Sequence, residues 1–285
     1  MYLLFKICKI IFFLELIFFI ALDYKRLYND KISVIIPTYN RGQLLIRSLK
    51  SILNQTYKNI EVLIIDDGSK DDTKQKISNI HDNRIRYIQL RKNKGASFAR
   101  NLGIKKSIGK YITFQDSDDI SFYDKFKMQI ENLLKHKSDL DFCKIRFYKF
   151  FNSSYSIIPY DYQHQMIIEN KAFEALCYGN FISTCSMVVK KNIIEKYLFD
   201  NSFPRLQDYD LILRMMPDIK ISYTNKILNE LYIHKDSITN SNSRLKKAIL
   251  LLLKKKYKMN FEQKKIFIEN LENAIKKLNY SKTNN

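Results

Sequence analysis

Residues 110–119 run Lys110-Tyr-Ile-Thr-Phe-Gln-Asp-Ser-Asp-Asp119, an apolar strand-like stretch ending in closely spaced carboxylates. Asp116, Asp118 and Asp119 at the mouth of a buried strand repel one another and resist desolvation unless a cation lies between them. A hard divalent ion suits such a cluster. Too few oxygens are present to cage it, so Mg²⁺ or Mn²⁺ held there completes its shell with water and the phosphate oxygens of a ligand. The same string is also good turn and N-cap chemistry for a helix expected around Phe122 to Leu134. The flanking sequence decides between the two.

Upstream, short β-branched runs alternate with helix-period segments. Ile32 to Ile36, ended by Pro37, reads as a strand, Gln43 to Gln55 as a helix and Ile60 to Ile65 as a strand. A helix from about Asp72 to Ile80, a strand from Arg84 to Leu90, a helix from Ala96 to Ser107 and the strand ending at Phe114 complete the series. Such alternation with short links predicts an α/β fold with a mostly parallel sheet flanked by helices on both faces. Ligands of open α/β sheets bind beyond the carboxyl ends of the strands. Three polar clusters fall at such ends: Pro37-Thr-Tyr-Asn-Arg41, Asp66-Asp-Gly-Ser69 and the Asp116 group. Their convergence on one rim favours the metal reading.

Beyond about Leu140 the alternation gives way to a mixed α+β pattern. Strands are expected over Asp141 to Phe151, Ser183 to Val189 and Ile221 to Ile233, and helices over Asn170 to Cys177 and Asp208 to Met216. Residues 152–165 fit neither pattern. From Arg244 onward the chain is helical and basic, with Ile268, Leu271, Ile275 and Leu278 on one face.

The 285 residues suffice for one large core, and 46% hydrophobic content with 19 Tyr and 19 Phe excludes extended disorder. The four cysteines make no CxxC pair or metal-ligand spacing, which fits a reducing compartment. A net charge of +20 calls for an anionic partner. Twelve Lys or Arg against three Glu lie from Arg244 to the end, so much of the excess belongs to the tail. Ile249 to Leu253 is an apolar patch between lysines, which implies either a tail lying on anionic membrane or a helix docked on the catalytic body. Met1 to Leu22 is apolar but interrupted by Lys6, Lys9 and Glu15 and followed by a poor cleavage site. It predicts an uncleaved membrane-associating helix or a tilted span with the catalytic body on the cytoplasmic face. Three segments follow: 1–30, 31–239 and 240–285.

Four ordered motifs spell a family. Lys31-Ile-Ser-Val-Ile-Ile-Pro-Thr-Tyr-Asn-Arg41, Ile64-Ile-Asp-Asp-Gly-Ser69, Asn93-Lys-Gly95 with Ala99-Arg-Asn101, and Asp116-Ser-Asp-Asp119 closely resemble the family 2 glycosyltransferases of the GT-A fold, over roughly residues 31 to 239. The resemblance implies a Rossmann-like sheet and an inverting transfer of sugar from a nucleotide-diphosphate donor to a glycan or lipid-linked saccharide acceptor, with Mn²⁺ or Mg²⁺. It places Pro37, Thr38 and Tyr39 at the nucleotide, with Asn40, Arg41, Ser69 and Gly95 around the donor. Asp67 would contact the base, Asp66 support its loop and Arg100 lie near the donor. Asp116 and Asp118 would hold the metal, with Asp119 beside them.

Arg205-Leu-Gln-Asp-Tyr-Asp-Leu-Ile-Leu-Arg214 is similar to the family's later acidic motif, with Gln207 in place of its first acid and Asp208 matching the catalytic base. Leu231-Tyr-Ile-His-Lys-Asp-Ser-Ile-Thr239 resembles the segment that closes the domain, where His234 would approach the diphosphate or metal. Nucleic-acid binding competes as an outlet for the basic charge. No helix-turn-helix or zinc spacing supports it, and the basic tail is separate from the motif-bearing rim. A catalytically dead relative would not need the intact carboxylates.

Overall fold

The computed structural model describes residues 29–149, 154–233 and 241–283. The expected anchor at 1–22 and His234 lie outside them. Strands β1 (Ile32–Thr38), β2 (Ile60–Asp66), β3 (Ile85–Gln89) and β4 (Tyr111–Phe114) form a parallel half-sheet in the order β3-β2-β1-β4. Helices α1 (Gly42–Leu53), α2 (Thr73–Ser78) and α3 (Ala96–Lys106) cross between them. Strands buried on both faces read as near-continuous apolar runs, and every residue of β1, β2 and β4 is buried.

Alternate residues face opposite sides, as pleating demands. Val34, Ile36, Val62 and Ile64 meet Leu45, Leu49 and Ile52 of α1, together with Phe126, Ile130 and Leu133 of α4 (Lys125–Lys135). Ile35, Leu63, Ile65 and Phe114 join Ala99 and Ile104 of α3 on the other face. There Gly103 lets α3 approach β1 closely, since a Cβ at that position would lie 2.4 Å from Ile35 Cγ2.

Beyond β4 the sheet is mixed, in the order β4-β8-β6-β9-β5. It adds β5 (Ile120–Ser121), β6 (Leu140–Lys149), β7 (Ser154–Ile158), β8 (Met187–Lys190) and β9 (Ile221–Ile233). β8 runs antiparallel to β4 and β6, β7 runs antiparallel to β6, and β9 is parallel to β6 with a register shift at Lys144. The unassigned stretch forms β7 and α5 (Asp161–Ile168), followed by α6 (Ala172–Tyr178), α7 (Lys191–Tyr197) and α8 (Gln207–Met215). The strand expected from Ser183 starts at Met187, because residues 184–186 form a 3₁₀ turn capped by Ser183.

Of the two arrangements expected for the tail, the docked one is observed. Helices α9 (Asn242–Lys254) and α10 (Phe261–Thr283) bury Ala248, Ile249, Leu252, Phe267 and Leu271 in the same cluster as Ile35 and Phe114. The centre of the Ile249 to Leu253 patch is therefore core. The lysines around it are only partly free, because Lys255 pairs with Asp200 and Asp210 and Lys258 with Asp218. Among the described residues no helix is long and apolar enough to cross a membrane.

Candidate functional site: a carboxylate rim at the strand ends

The three expected clusters meet at the carboxyl ends of β1, β2 and β4. Tyr39 is 41% exposed and Thr38 is buried, its hydroxyl oxygen lacking a hydrogen-bond partner. Asn40 takes a left-handed φ of 51°, tolerable for an Asn. Its N–H donates to Ser69 Oγ at 2.8 Å, and its Oδ1 accepts from the Lys70 amide at 2.8 Å, locking the first two loops together.

Asp66 and Asp67 hold the second loop in place. Asp66 accepts from the Ser69 amide at 2.8 Å and from the Tyr87 hydroxyl. Both oxygens of Asp67 accept main-chain N–H groups, from Lys94 and Gly95, at 2.7 Å each. Gly95 has φ 92°, and a Cβ there would meet nothing within 4 Å, so the backbone before α3 borders open space. One turn into α3, buried Arg100 pairs with Asp116 Oδ1 at 2.7 Å and lies over the Phe199 ring at 5.6 Å. Burial works against its charge, but Asp116 outweighs that and holds its pKa above the ordinary value.

The loop after β4 is pinned by α1. Ser48 Oγ donates to the Asp116 carbonyl at 2.9 Å and Arg47 Nη2 to the Asp118 carbonyl at 2.7 Å, while Arg41 pairs with the Asp118 carboxylate. Asp119 points inward, accepting from Cys185 Sγ at 3.3 Å and the Tyr232 amide at 3.2 Å. Burial and the neighbouring Asp116 and Asp118 charges push its pKa well above the carboxylate range. Arg47, Ser48 and Cys185 had no signal in the sequence, lying more than 60 positions from the residues they touch.

Asp116, Asp119 and Cys185 place one ligand atom each within 4.8 Å of one another. The donor chemistry fits a hard cation. Burial, with Asp116 and Asp119 nearby, raises the Cys185 thiol well above its usual pKa, so it stays a protonated donor to Asp119. The remaining ligands are carboxylate oxygens, the donors a hard cation prefers.

Across the rim, Asp208 sits partly buried in the first turn of α8. Burial raises its pKa, the Tyr209 amide at 2.8 Å and the Arg100 charge oppose the rise, and Asp116 adds to it. The Asn180 side chain, close by, also opposes the rise. Gln207 donates to the Phe203 carbonyl at 3.1 Å. Asp210, two positions on, is fully buried among Arg214, Lys255 and Tyr257. Hydrogen bonds and ion pairs thus tie together the strand-end loops that carry Pro37, Thr38, Tyr39, Asn40, Arg41, Asp66, Asp67, Ser69, Gly95, Arg100, Asp116, Asp118 and Asp119, and Asp208 lies within electrostatic reach of Arg100 and Asp116.

A three-layer α/β sheet with acidic loops at its strand ends is the architecture of nucleotide-sugar transferases. Residues 33–198 match the model for "Glycosyl transferase family 2", and the chain belongs to that family. It is 32% identical over 197 residues to the Escherichia coli UDP-Glc:alpha-D-GlcNAc-diphosphoundecaprenol beta-1,3-glucosyltransferase WfgD, covering 68% of this chain and 73% of that protein. An uncharacterized glycosyltransferase of Rickettsia bellii is 39% identical over 183 residues, 63% of this chain; the chain spans about a quarter of that relative's length, 25%. In fold it resembles Staphylococcus aureus TarS 1–349 in complex with UDP-GlcNAc, with TM-score 0.66, 19% identity and 85% and 71% of the two chains covered. The Pyrobaculum calidifontis mannosyltransferase PcManGT in complex with GDP-Man and Mn²⁺ superposes with TM-score 0.63, 16% identity and 87% and 70% covered.

Proposed function

We propose that this protein transfers a sugar from a nucleotide-diphosphate donor, a UDP-sugar by preference, to a hydroxyl of a glycan or lipid-linked saccharide acceptor in bacterial surface polysaccharide assembly. The observation that carries this reading is buried Arg100, which pairs with Asp116 and lies within electrostatic reach of Asp208. A cationic group suited to an anion and a proton acceptor thereby lie near one another. The names of WfgD, TarS and PcManGT supply the partner kinds: UDP-Glc onto a diphosphoundecaprenol-linked sugar, UDP-GlcNAc, and GDP-Man with Mn²⁺.

Thr38 Oγ1, Ser97 Oγ and Arg100 Nε are buried in this region without partners, as expected of groups awaiting a polar ligand. Tyr39 is exposed enough to stack on a base. Asp116 and Asp118, with Asp119 behind them, would hold Mn²⁺ or Mg²⁺, which supplies positive charge for the departing diphosphate. Asp208 removes the proton of the attacking hydroxyl, a task its raised pKa favours, and a single displacement with one base gives inversion. An apolar N-terminal segment and a basic surface support placement at the cytoplasmic face of the membrane.

Thermal-shift screening of UDP-, GDP- and TDP-sugars with Mn²⁺ tests the donor class. Stabilisation by one nucleotide sugar, dependent on the metal, is expected. No response to any of them removes the transferase reading.

A further inference from the structure

Three tyrosines gather on the surface of α5 and α6, away from the carboxylate loops. The Tyr160 and Tyr162 rings are 6.2 Å apart with planes 14° from parallel, and Tyr178 meets Tyr162 edge-on at 6.4 Å. They are 50%, 52% and 43% exposed. Large aromatic faces left together in water mark a binding surface more often than an accident of folding.

Their placement ties them to the proton acceptor. Tyr178 ends α6, and two residues later the Asn180 side chain lies near enough to the Asp208 carboxylate to oppose the burial-driven rise of its pKa. Between them Gly179, at φ 152°, borders open space, since a Cβ there would meet nothing within 4 Å. Gln163 Nε2 donates to the Gly179 carbonyl at 3.2 Å, fixing α5 against this link. From the other side Tyr209, next to Asp208, donates its hydroxyl to the Leu176 carbonyl at 2.6 Å and holds α6 against α8. The aromatic cluster and Asp208 are therefore parts of one rigid corner.

We propose that Tyr160, Tyr162 and Tyr178 form the acceptor subsite, on which a pyranose ring of the acceptor stacks before its hydroxyl reaches Asp208 across Gly179 and Asn180. A pyranose offers one face of axial C–H groups ringed by hydroxyls. Tyrosine matches both, with an apolar ring and a hydrogen-bonding hydroxyl at its edge. The inference rests on the sugar-transfer reading and adds where the acceptor binds and what part of it is recognised.

Saturation-transfer NMR on the full chain tests it, with methyl β-D-glucopyranoside and methyl N-acetyl-β-D-glucosaminide as probes. Irradiation of aromatic protons is expected to saturate the probe's ring protons. The combined Tyr160→Ala, Tyr162→Ala and Tyr178→Ala variant should lower apparent affinity about tenfold or more, and the corresponding Phe variant should lose less, keeping the stacking face without the hydroxyls. UDP binding with Mn²⁺ serves as the folding control, and Tyr162→Ser alone replaces the triple variant if that control fails. Absent or undiminished saturation overturns the proposal. So does a shift from dimer to monomer in sedimentation, or a loss of binding to phosphatidylglycerol vesicles, unaccompanied by any loss of glycoside binding; these would make the patch an interface or a membrane contact. Failure of the transferase reading looks different: no nucleotide sugar binds while the glycoside still receives saturation through the tyrosines.

Discussion

Asp208 and Asp210 stand two positions apart on α8 and face opposite surroundings. Asp208 is partly exposed and lies in the field of Arg100 and Asp116, whereas Asp210 is sealed between Arg214 Nε at 3.0 Å, Lys255 Nζ at 2.7 Å and the Tyr257 hydroxyl at 2.9 Å. Two positions turn a helix by about 200°, which separates a reactive carboxylate from a structural one.

Asp208→Asn keeps size and capping ability but cannot accept a proton. It is expected to fold and bind donor normally while losing on the order of 10²-fold or more in turnover. Turnover within a few-fold of wild type would exclude Asp208 as the base. Asp210 would not replace it, because Asp210→Asn should instead lower Tm, weakening the charged hydrogen bonds that the buried carboxylate makes to Arg214, Lys255 and Tyr257 at a cost of about 1–3 kcal/mol.

The acidity of Asp208 sets a pH limit. Its pKa is raised, chiefly by burial, so the carboxylate takes up a proton at a higher pH than an ordinary aspartate. The active form is the deprotonated one. Activity should therefore be full at neutral pH and fall as pH drops through that raised pKa, before exposed carboxylates titrate. A kcat/KM profile flat down to the pH of ordinary aspartates would contradict this.

Donor binding should require the divalent ion. Calorimetry of UDP with and without Mn²⁺ is expected to show binding only with the metal, and Asp118→Ala should abolish it. Removing that carboxylate also strips the partner from Arg41, so Arg41→Ala is the control. Equal affinity in both conditions would remove the metal from the mechanism.

Gly103→Ala tests the packing of α3 on β1. The added methyl would sit 2.4 Å from Ile35 Cγ2, and the resulting overpacking should cost about 1–3 kcal/mol in chemical denaturation. An unchanged midpoint would mean that the helix can shift outward freely.

The parallel half of the fold was legible because β1, β2 and β4 are buried on both faces and so read as near-continuous apolar runs ending near Pro37, Gly68 and Gln115. The rim was legible because each loop carries its polar residues contiguously. Contacts across the cleft left no such trace: Arg47 reaches Asp118 from 71 positions away and Cys185 reaches Asp119 from 66. Residues 152–165 escaped assignment because β7 pairs with β6 at the sheet's margin and opens on Ser154-Tyr155-Ser156, a pattern that is neither apolar nor helical. The tail's docking was equally hidden, since its apolar positions suit a membrane or a protein core alike until Lys255 and Tyr257 are seen to meet Asp210.

That the last two helices share one hydrophobic cluster with Ile35 and Phe114 changes what can be exchanged between such enzymes. Grafting a foreign acceptor half after β4 would fail unless residues 241–283 travelled with it, because their absence would expose part of the cluster that α9 and α10 cover alongside α3, α6 and α8. The donor side faces no such constraint on its other surface, where α1 and α4 close the layer by themselves. Recombination is thus permitted on one face of this sheet and forbidden on the other.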